Sequence, residues 1–155
     1  MKMTEKTVTI FVLITTALWV IITVLGWKGQ HMAGMYLGLV MMLLYMILGV
    51  SKQGVVSKKL LFYPLISWGL VWAISFFLAD FYALKYAGVM PDFTIMGFHP
   101  SFAPIIFLYW IGGMLTLTLG FVVLKDEWMS EEDWDNFKVK IEGLKEEEKR
   151  RVTNG

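Results

Sequence analysis

The two histidines, His31 and His99, are the residues whose side chains could most readily do chemistry in this chain. Imidazole binds metals and haem, and it changes its charge near neutral pH. A metal site would need further ligands, and only Asp80, Asp92 and Gln30 are close in the expected topology. Haem held between two histidines usually has both on helices, whereas these two lie in connections. We therefore favour a turn-capping role for His99, and we expect no catalytic residue, no metal site and no cofactor.

Sulfur chemistry is restricted to methionine because the chain has no Cys. Disulfides, thiolate catalysis and cysteine metal sites are thereby excluded. Five methionines fall in one apolar stretch: Met32, Met35, Met41, Met42 and Met46. Thioethers are soft ligands that could carry copper(I), but the unbranched side chain also fills irregular gaps. We favour ordinary packing.

Hydroxyl side chains within the apolar stretches could line a path for ions or water. They are Thr9, Thr15, Thr16, Thr23, Ser67, Ser75, Thr116 and Thr118. A cation path needs a row of oxygens or charges, and these residues follow no fixed spacing. We expect most of them to bond a carbonyl of their own helix or of a neighbour.

Four apolar stretches must position all of these residues: 8–27, 32–50, 60–79 and 102–124. None contains Asp, Glu, Lys or Arg, and each has the length that a helix needs to cross a bilayer core of roughly 30 Å. Backbone amides in hydrocarbon need partners within their own segment, so the stretches predict helices. Charge-free spans argue against pumps, proton relays and voltage sensors. The sequence predicts an all-α integral membrane protein with four transmembrane helices.

Charged residues indicate the topology. Lys and Arg concentrate before the first stretch, in the second connection and after residue 124, which predicts that both termini are cytoplasmic. The first stretch is too long for a cleaved signal peptide, and we expect a retained anchor. The predicted domains are a bundle over 1–124 and a tail over 125–155, in the cell membrane. The net charge of +1 gives no reason to expect a nucleic-acid partner.

Small residues form two stripes that favour close helix packing. The second stretch carries Gly34 and Gly38, and the fourth carries Gly112, Thr116 and Gly120. Each stripe could serve contacts within the bundle or contacts with a partner, and the sequence leaves both uses open.

The tail predicts an amphipathic helix. Ser130 and Asp133 have the spacing of a capping box, and an apolar stripe then recurs at three- and four-residue intervals: Trp134, Phe137, Ile141 and Leu144. The first half of this helix is acidic, which predicts poor adhesion there to anionic lipid. We expect the stripe to dock on protein, either this bundle or the cytoplasmic face of a partner. A solvated tail helix is the alternative.

The outer connection, residues 80–101, is too apolar for a solvated loop, and Gly88, Pro91, Gly97 and Pro100 interrupt it. We expect a short helix or turn at the outer membrane surface, with Phe98 and His99 as candidate partner contacts. Residues 93–102, the uncharged stretch after them and the charged end at 125–127 resemble the small membrane proteins that accompany sodium/solute symporters, the small partner of the pantothenate symporter being the nearest type. His99 before Pro100 departs from the outer motif of that family. Its typical members have two helices, so the first two stretches here would be an addition.

That resemblance covers roughly 35 residues and implies an accessory role without catalysis. The leading expectation is therefore an auxiliary or assembly subunit of a larger membrane complex, with a sodium-coupled secondary transporter as the expected complex. A second class is a self-assembled channel or transporter lined by Thr15, Thr16, Thr23, Thr116 and Thr118. The third is a small membrane enzyme or electron carrier, which would depend on the two histidines.

Overall fold

The computed structural model describes residues 3–51 and 54–153, and their regular secondary structure is helical. Four helices are long and apolar enough to cross a membrane, which confirms the four predicted spans at that level. A short helix and a longer one follow them. The six are α1 (Glu5–Trp27), α2 (His31–Gly49), α3 (Lys58–Lys85), α4 (Ile105–Val123), α5 (Lys125–Trp128) and α6 (Glu131–Thr153).

Local chemistry explains most of the helix ends. The Thr4 hydroxyl accepts a hydrogen bond from the Thr7 amide and caps α1. After α1, Gly29 takes a left-handed φ of 72°, which only glycine adopts without strain. α3 runs six residues past the predicted end at 79, because no Gly or Pro interrupts the chain between Asp80 and Gly88, which has positive φ.

The long helices pack in chain order: α1 on α2, α2 on α3, and α3 on α4. α1 has no extensive contact with α4, so the helices form an open row. α3 is the most enclosed of the four, with Trp68, Leu65 and Ser75 at most 2% exposed. α1, α2 and α4 remain largely open on their outer sides.

The α3–α4 contact is close because glycines of α4 meet bulky residues of α3. A Cβ at Gly113 would clash with the Trp72 ring nitrogen, and one at Gly120 would come within 2.5 Å of the Pro64 Cβ. Both helices contain π-helical turns, at Leu61–Ile66 in α3 and at Ile105–Gly112 and Leu115–Leu119 in α4. Pro64 lies within the first of these, where its missing N–H removes one helical hydrogen bond.

A basal core closes one end of the row. Its buried members are Met3, Val50, Val56, Leu60 and Leu65. The Met3 amide donates to the Gly54 carbonyl, and partly buried residues from the end of α4, including Phe121, pack on the same core. The N-terminus, the second connection and the start of the tail therefore share one end. Lys2 and Lys52, which contributed to the topology prediction, lie outside the described residues.

Candidate functional site

An apolar groove of about 400 Å³ opens between α2 and α4, with α3 as its floor. We name it the α2–α4 groove, and its lining residues are Met35, Gly38, Leu39, Met42, Trp72, Phe76, Ile105 and Tyr109. It exists because α2 and α4 both pack on α3 without closing on each other. Its walls offer shape and apolar surface, and no ionisable Asp, Glu, Lys, Arg or His lines it.

Aromatic side chains fix the floor of the groove. The Trp72 and Tyr109 rings lie 4.0 Å apart, and the Trp72 Nε1–H donates to the Tyr109 carbonyl at 3.0 Å. The Tyr36 hydroxyl donates to the Ala73 carbonyl at 3.2 Å. These polar atoms are thus already bonded within the protein, and what the groove presents is an apolar surface.

The two small-residue stripes have different environments. A Cβ at Gly112 would come within 2.9 Å of Val71, and Gly120 faces Pro64. The Thr116 hydroxyl bonds the Gly112 carbonyl of its own helix at 2.8 Å. By contrast, a Cβ at Gly34 or Gly38 would meet no atom within 4 Å. The α4 stripe therefore serves packing inside the chain, whereas Gly38 of the α2 stripe lines the open groove and Gly34, one turn before it, faces no neighbour.

Hydroxyls in the spans bond backbone carbonyls, as the sequence predicts. In α1, Thr16 donates to the Val12 carbonyl and Thr23 to the Trp19 carbonyl, each at 2.8 Å. Thr15 is 1% exposed and also donates to Val12. Ser75 reaches across to the Pro104 carbonyl of the α4 entry at 2.8 Å. Each of these hydroxyls therefore donates its proton to a backbone carbonyl within the helix or of the neighbouring helix.

The outer connection folds as a cap on the ends of α3 and α4. Ile95 and Phe98 exchange two backbone hydrogen bonds of 3.0 Å, and Met96 and Gly97 between them both have positive φ, as a tight I′-like turn requires. The prediction of a short helix or turn is thus met by a turn. Phe98 packs edge-on to Phe107 of α4.

His99 lies in that cap and helps to shape it. Its Nδ1 accepts from the Ser101 amide at 3.2 Å and lies 2.8 Å from the Ser101 hydroxyl. Beside it, Tyr86 donates a hydrogen bond to Asp92, and this bond raises the pKa of the Tyr86 phenol and lowers the pKa of the Asp92 carboxyl. In residues 3–51 and 54–153, no group of three or more His, Asp or Glu is arranged to hold a metal ion.

The tail begins with a latch on the basal core. The Glu127 carboxylate accepts from the Ser57 hydroxyl at 2.7 Å and pairs with Lys59 at 3.0 Å. The hydrogen bond from Ser57, followed by that from Lys59, lowers the pKa of Glu127. The Trp128 Nε1–H donates to the Phe121 carbonyl at 3.1 Å. Together these contacts fix α5 to the bases of α3 and α4.

α6 begins with the capping arrangement that the sequence predicts. The Ser130 amide and hydroxyl both bond the Asp133 carboxylate, and the Asp133 amide donates back to the Ser130 hydroxyl. The apolar stripe is uncovered: Trp134, Phe137 and Leu144 are 44%, 50% and 53% exposed. α6 makes no extensive contact with the four long helices. Of the two expected docking partners for the stripe, this bundle is therefore not the one that it contacts in the structure.

Sequence reasoning missed the aromatic floor of the groove. Its α3 members, Trp72 and Phe76, follow Trp68 at four-residue intervals, a spacing that places all three on one face of α3. That spacing was the available signal, but Tyr109, its partner on α4, follows no such pattern. No family model matches this chain, and no curated protein or solved structure matches it either.

Proposed function

We propose that this protein is an auxiliary subunit of a larger membrane complex, a secondary transporter, and that it binds a helix of its partner in the α2–α4 groove. The observation that carries the proposal is the open α2 stripe: Gly34 and Gly38 have no neighbour for a Cβ, whereas the α4 glycines are packed. Glycine on a helix face allows another backbone to approach closely, which is how helices associate in lipid.

The groove supports a helix as its occupant. Met35 and Met42 flank Gly38 on α2, and methionine adapts its shape to irregular partners. The Trp72 ring nitrogen is already bonded to the Tyr109 carbonyl, so a partner would need no polar group opposite it. We propose the cell membrane, with both termini cytoplasmic, as the setting.

The channel alternative has less support. Pore lining by Thr15, Thr16 and Thr23 would require hydroxyls that face water, yet each donates to a carbonyl of α1. The enzyme or electron-carrier alternative depends on His31 and His99. His99 is engaged with Ser101 in the outer cap. His31 is the first residue of α2 and follows the short connection from α1.

The test compares Gly38→Leu with Gly26→Leu, a matched control on α1 where a Cβ also meets no atom within 4 Å. Tagged protein is purified in mild detergent from its native membranes, and the co-purified transporter is assayed for solute uptake in proteoliposomes with and without this chain. We expect Gly38→Leu to lower recovery of the partner at least fivefold, because a leucine side chain would fill the groove, and Gly26→Leu to leave it unchanged.

Two results would contradict the proposal. Equal recovery of the partner with Gly38→Leu and wild type would remove the groove from the interface. Solute or ion flux by the purified protein alone would instead support the channel alternative.

A further inference from the structure

We infer that α6 lies in the plane of an anionic lipid surface at the base of the bundle, with its apolar stripe (Trp134, Phe137, Ile141 and Leu144) inserted at the headgroup level. This inference is independent of the proposed partner in the α2–α4 groove. It addresses the one amphipathic element that the bundle leaves uncovered in the described part of the chain.

The position of α6 follows from the latch before it. Glu127 is held by Ser57 and Lys59, and Trp128 by the Phe121 carbonyl, so α5 is held at the base of α3 and α4. Only Met129 and Ser130 separate α5 from α6. The first turn of α6 therefore starts within the headgroup layer, which extends several ångströms beyond the hydrocarbon core.

The stripe has the composition of an interfacial anchor. Trp134 and Phe137 stack with their rings 5.6 Å apart, and Ile141 and Leu144 continue the same face over the next two turns. Glu148 falls on this face one turn later and ends it. Three turns with aromatic residues at one end and aliphatic residues at the other suit shallow insertion, whereas the stripe is too short for a stable coiled coil.

Charge is segregated around the stripe, although the first half of α6 is acidic overall. With 100° per residue, Lys138 and Lys145 border the stripe on one side and Lys140 on the other. Glu132, Asp135, Glu142 and Glu146 project at 120° or more from its centre by the same geometry. Long lysine side chains beside an apolar face can reach lipid phosphates while their stems stay apolar.

Two of the acids that precede the stripe are engaged within the chain, and Glu147 and Glu148 lie beyond its last member, Leu144. Asp133 is bonded to Ser130 in the capping box, and Glu131 pairs with Lys125 at 2.8 Å. Lys138 pairs with Asp135 at 2.7 Å, but both side chains are more than half exposed, and an exposed pair of this kind is weak and exchangeable. Over residues 134–145, the length of the stripe, the flanking charges are thus the three lysines, and this segment favours an anionic surface. The sequence expectation of poor lipid adhesion considered the number of acids and not their direction.

The test uses the full chain, whose lack of Cys allows single nitroxide labels at Leu144→Cys on the stripe and at Val139→Cys on the opposite face. The protein is reconstituted at high dilution in phosphatidylcholine vesicles with about one-third phosphatidylglycerol. We expect the label at 144 to collide at least threefold more with oxygen than with a water-soluble nickel chelate, and the label at 139 to show the reverse preference.

A triple change of Lys138, Lys140 and Lys145 to Gln should abolish the lipid preference at 144. The matched triple change of Glu132, Glu142 and Glu146 to Gln, on the far face, should preserve it. If the label at 144 is as open to the nickel chelate as the label at 139, the inference is wrong, and protection that arises only after adding a membrane extract would assign the stripe to a protein. Spin–spin broadening at 144 that disappears when unlabelled protein is mixed in would assign it to a second copy.

Discussion

At the scale of residues, glycine performs two opposite tasks in this protein. Gly113 and Gly120 remove side chains where Trp72 and Pro64 need room, so that α3 and α4 approach closely. Gly34 and Gly38 leave room that nothing in the chain fills. The four positions look alike in the sequence, and only their neighbours distinguish a packing glycine from a docking glycine.

Gly120→Ala should destabilise the protein, because the new Cβ would lie 2.5 Å from the Pro64 Cβ and 3.2 Å from its Cα. Proline cannot rotate away, so α4 must shift, at a cost of about 1–3 kcal/mol. The measurement is unfolding by added SDS in mixed micelles, followed by circular dichroism. Gly34→Ala is the control and should unfold like wild type; equal curves for Gly120→Ala and wild type would refute the close contact.

At the scale of elements, the ends of the helices carry the specific interactions and the spans carry the packing. The outer cap rests on the two amide-to-carbonyl hydrogen bonds between Ile95 and Phe98, the Tyr86–Asp92 bond and the His99–Ser101 contact. The base rests on the latch of α5 at Ser57 and Lys59. Each end therefore fixes the position of two helices relative to each other. Apolar packing between helices in lipid specifies their relative position less selectively.

The latch should weaken in acid. The folded pKa of Glu127 lies below its ordinary value of 4.5, so the carboxylate contributes stability above that value and loses it as the pH falls through the lowered pKa. Glu127→Gln should thus lower the unfolding temperature at neutral pH and make no difference in strong acid. Melting curves of both proteins between pH 7 and about 3 test this.

Glu146→Gln, on the exposed far face of α6, is the control and should behave like wild type throughout. A deficit of the Glu127→Gln protein that stays constant down to the lowest pH would show that the charge of Glu127 does not hold the latch.

At the scale of the whole molecule, the four long helices form an open row, with α3 in the centre and α1 at the edge. Such a row leaves more apolar surface than a closed bundle of the same helices, and lipid or a partner must cover it. It also gathers the N-terminus, the second connection and the tail at one end, where Lys58, Lys59 and Lys125 lie.

The orientation of this row can be tested with single cysteines. Met90 in the outer cap is 93% exposed, and Glu146 lies in the exposed part of α6. In intact cells, a membrane-impermeant maleimide should label Met90→Cys at least tenfold faster than Glu146→Cys, and permeabilisation should make the two equal. The reverse order of labelling would overturn the assignment of cytoplasmic termini.

The sequence by itself determined the existence of the four apolar helices, because length and the absence of charge are local properties that lipid makes decisive. It also determined the capping box of α6, since Ser130 and Asp133 need only helix geometry to meet. The turn in the outer cap and the own-helix bonds of the threonines are local in the same way. The sequence did not predict the end of α3 at Lys85, because a helix can continue beyond the hydrocarbon core and the apolar stretch marks only the part within it.

The tertiary structure decided which faces meet. The α2–α4 groove depends on both helices packing on α3 without closing on each other, and no spacing within one segment encodes that. The hydrogen bond from Trp72 to the Tyr109 carbonyl joins residues 37 positions apart. The packing of Gly120 on Pro64 joins residues that are even farther apart in the sequence. A contact between two segments depends on the shapes of both surfaces, so the residue pattern within one segment cannot specify it.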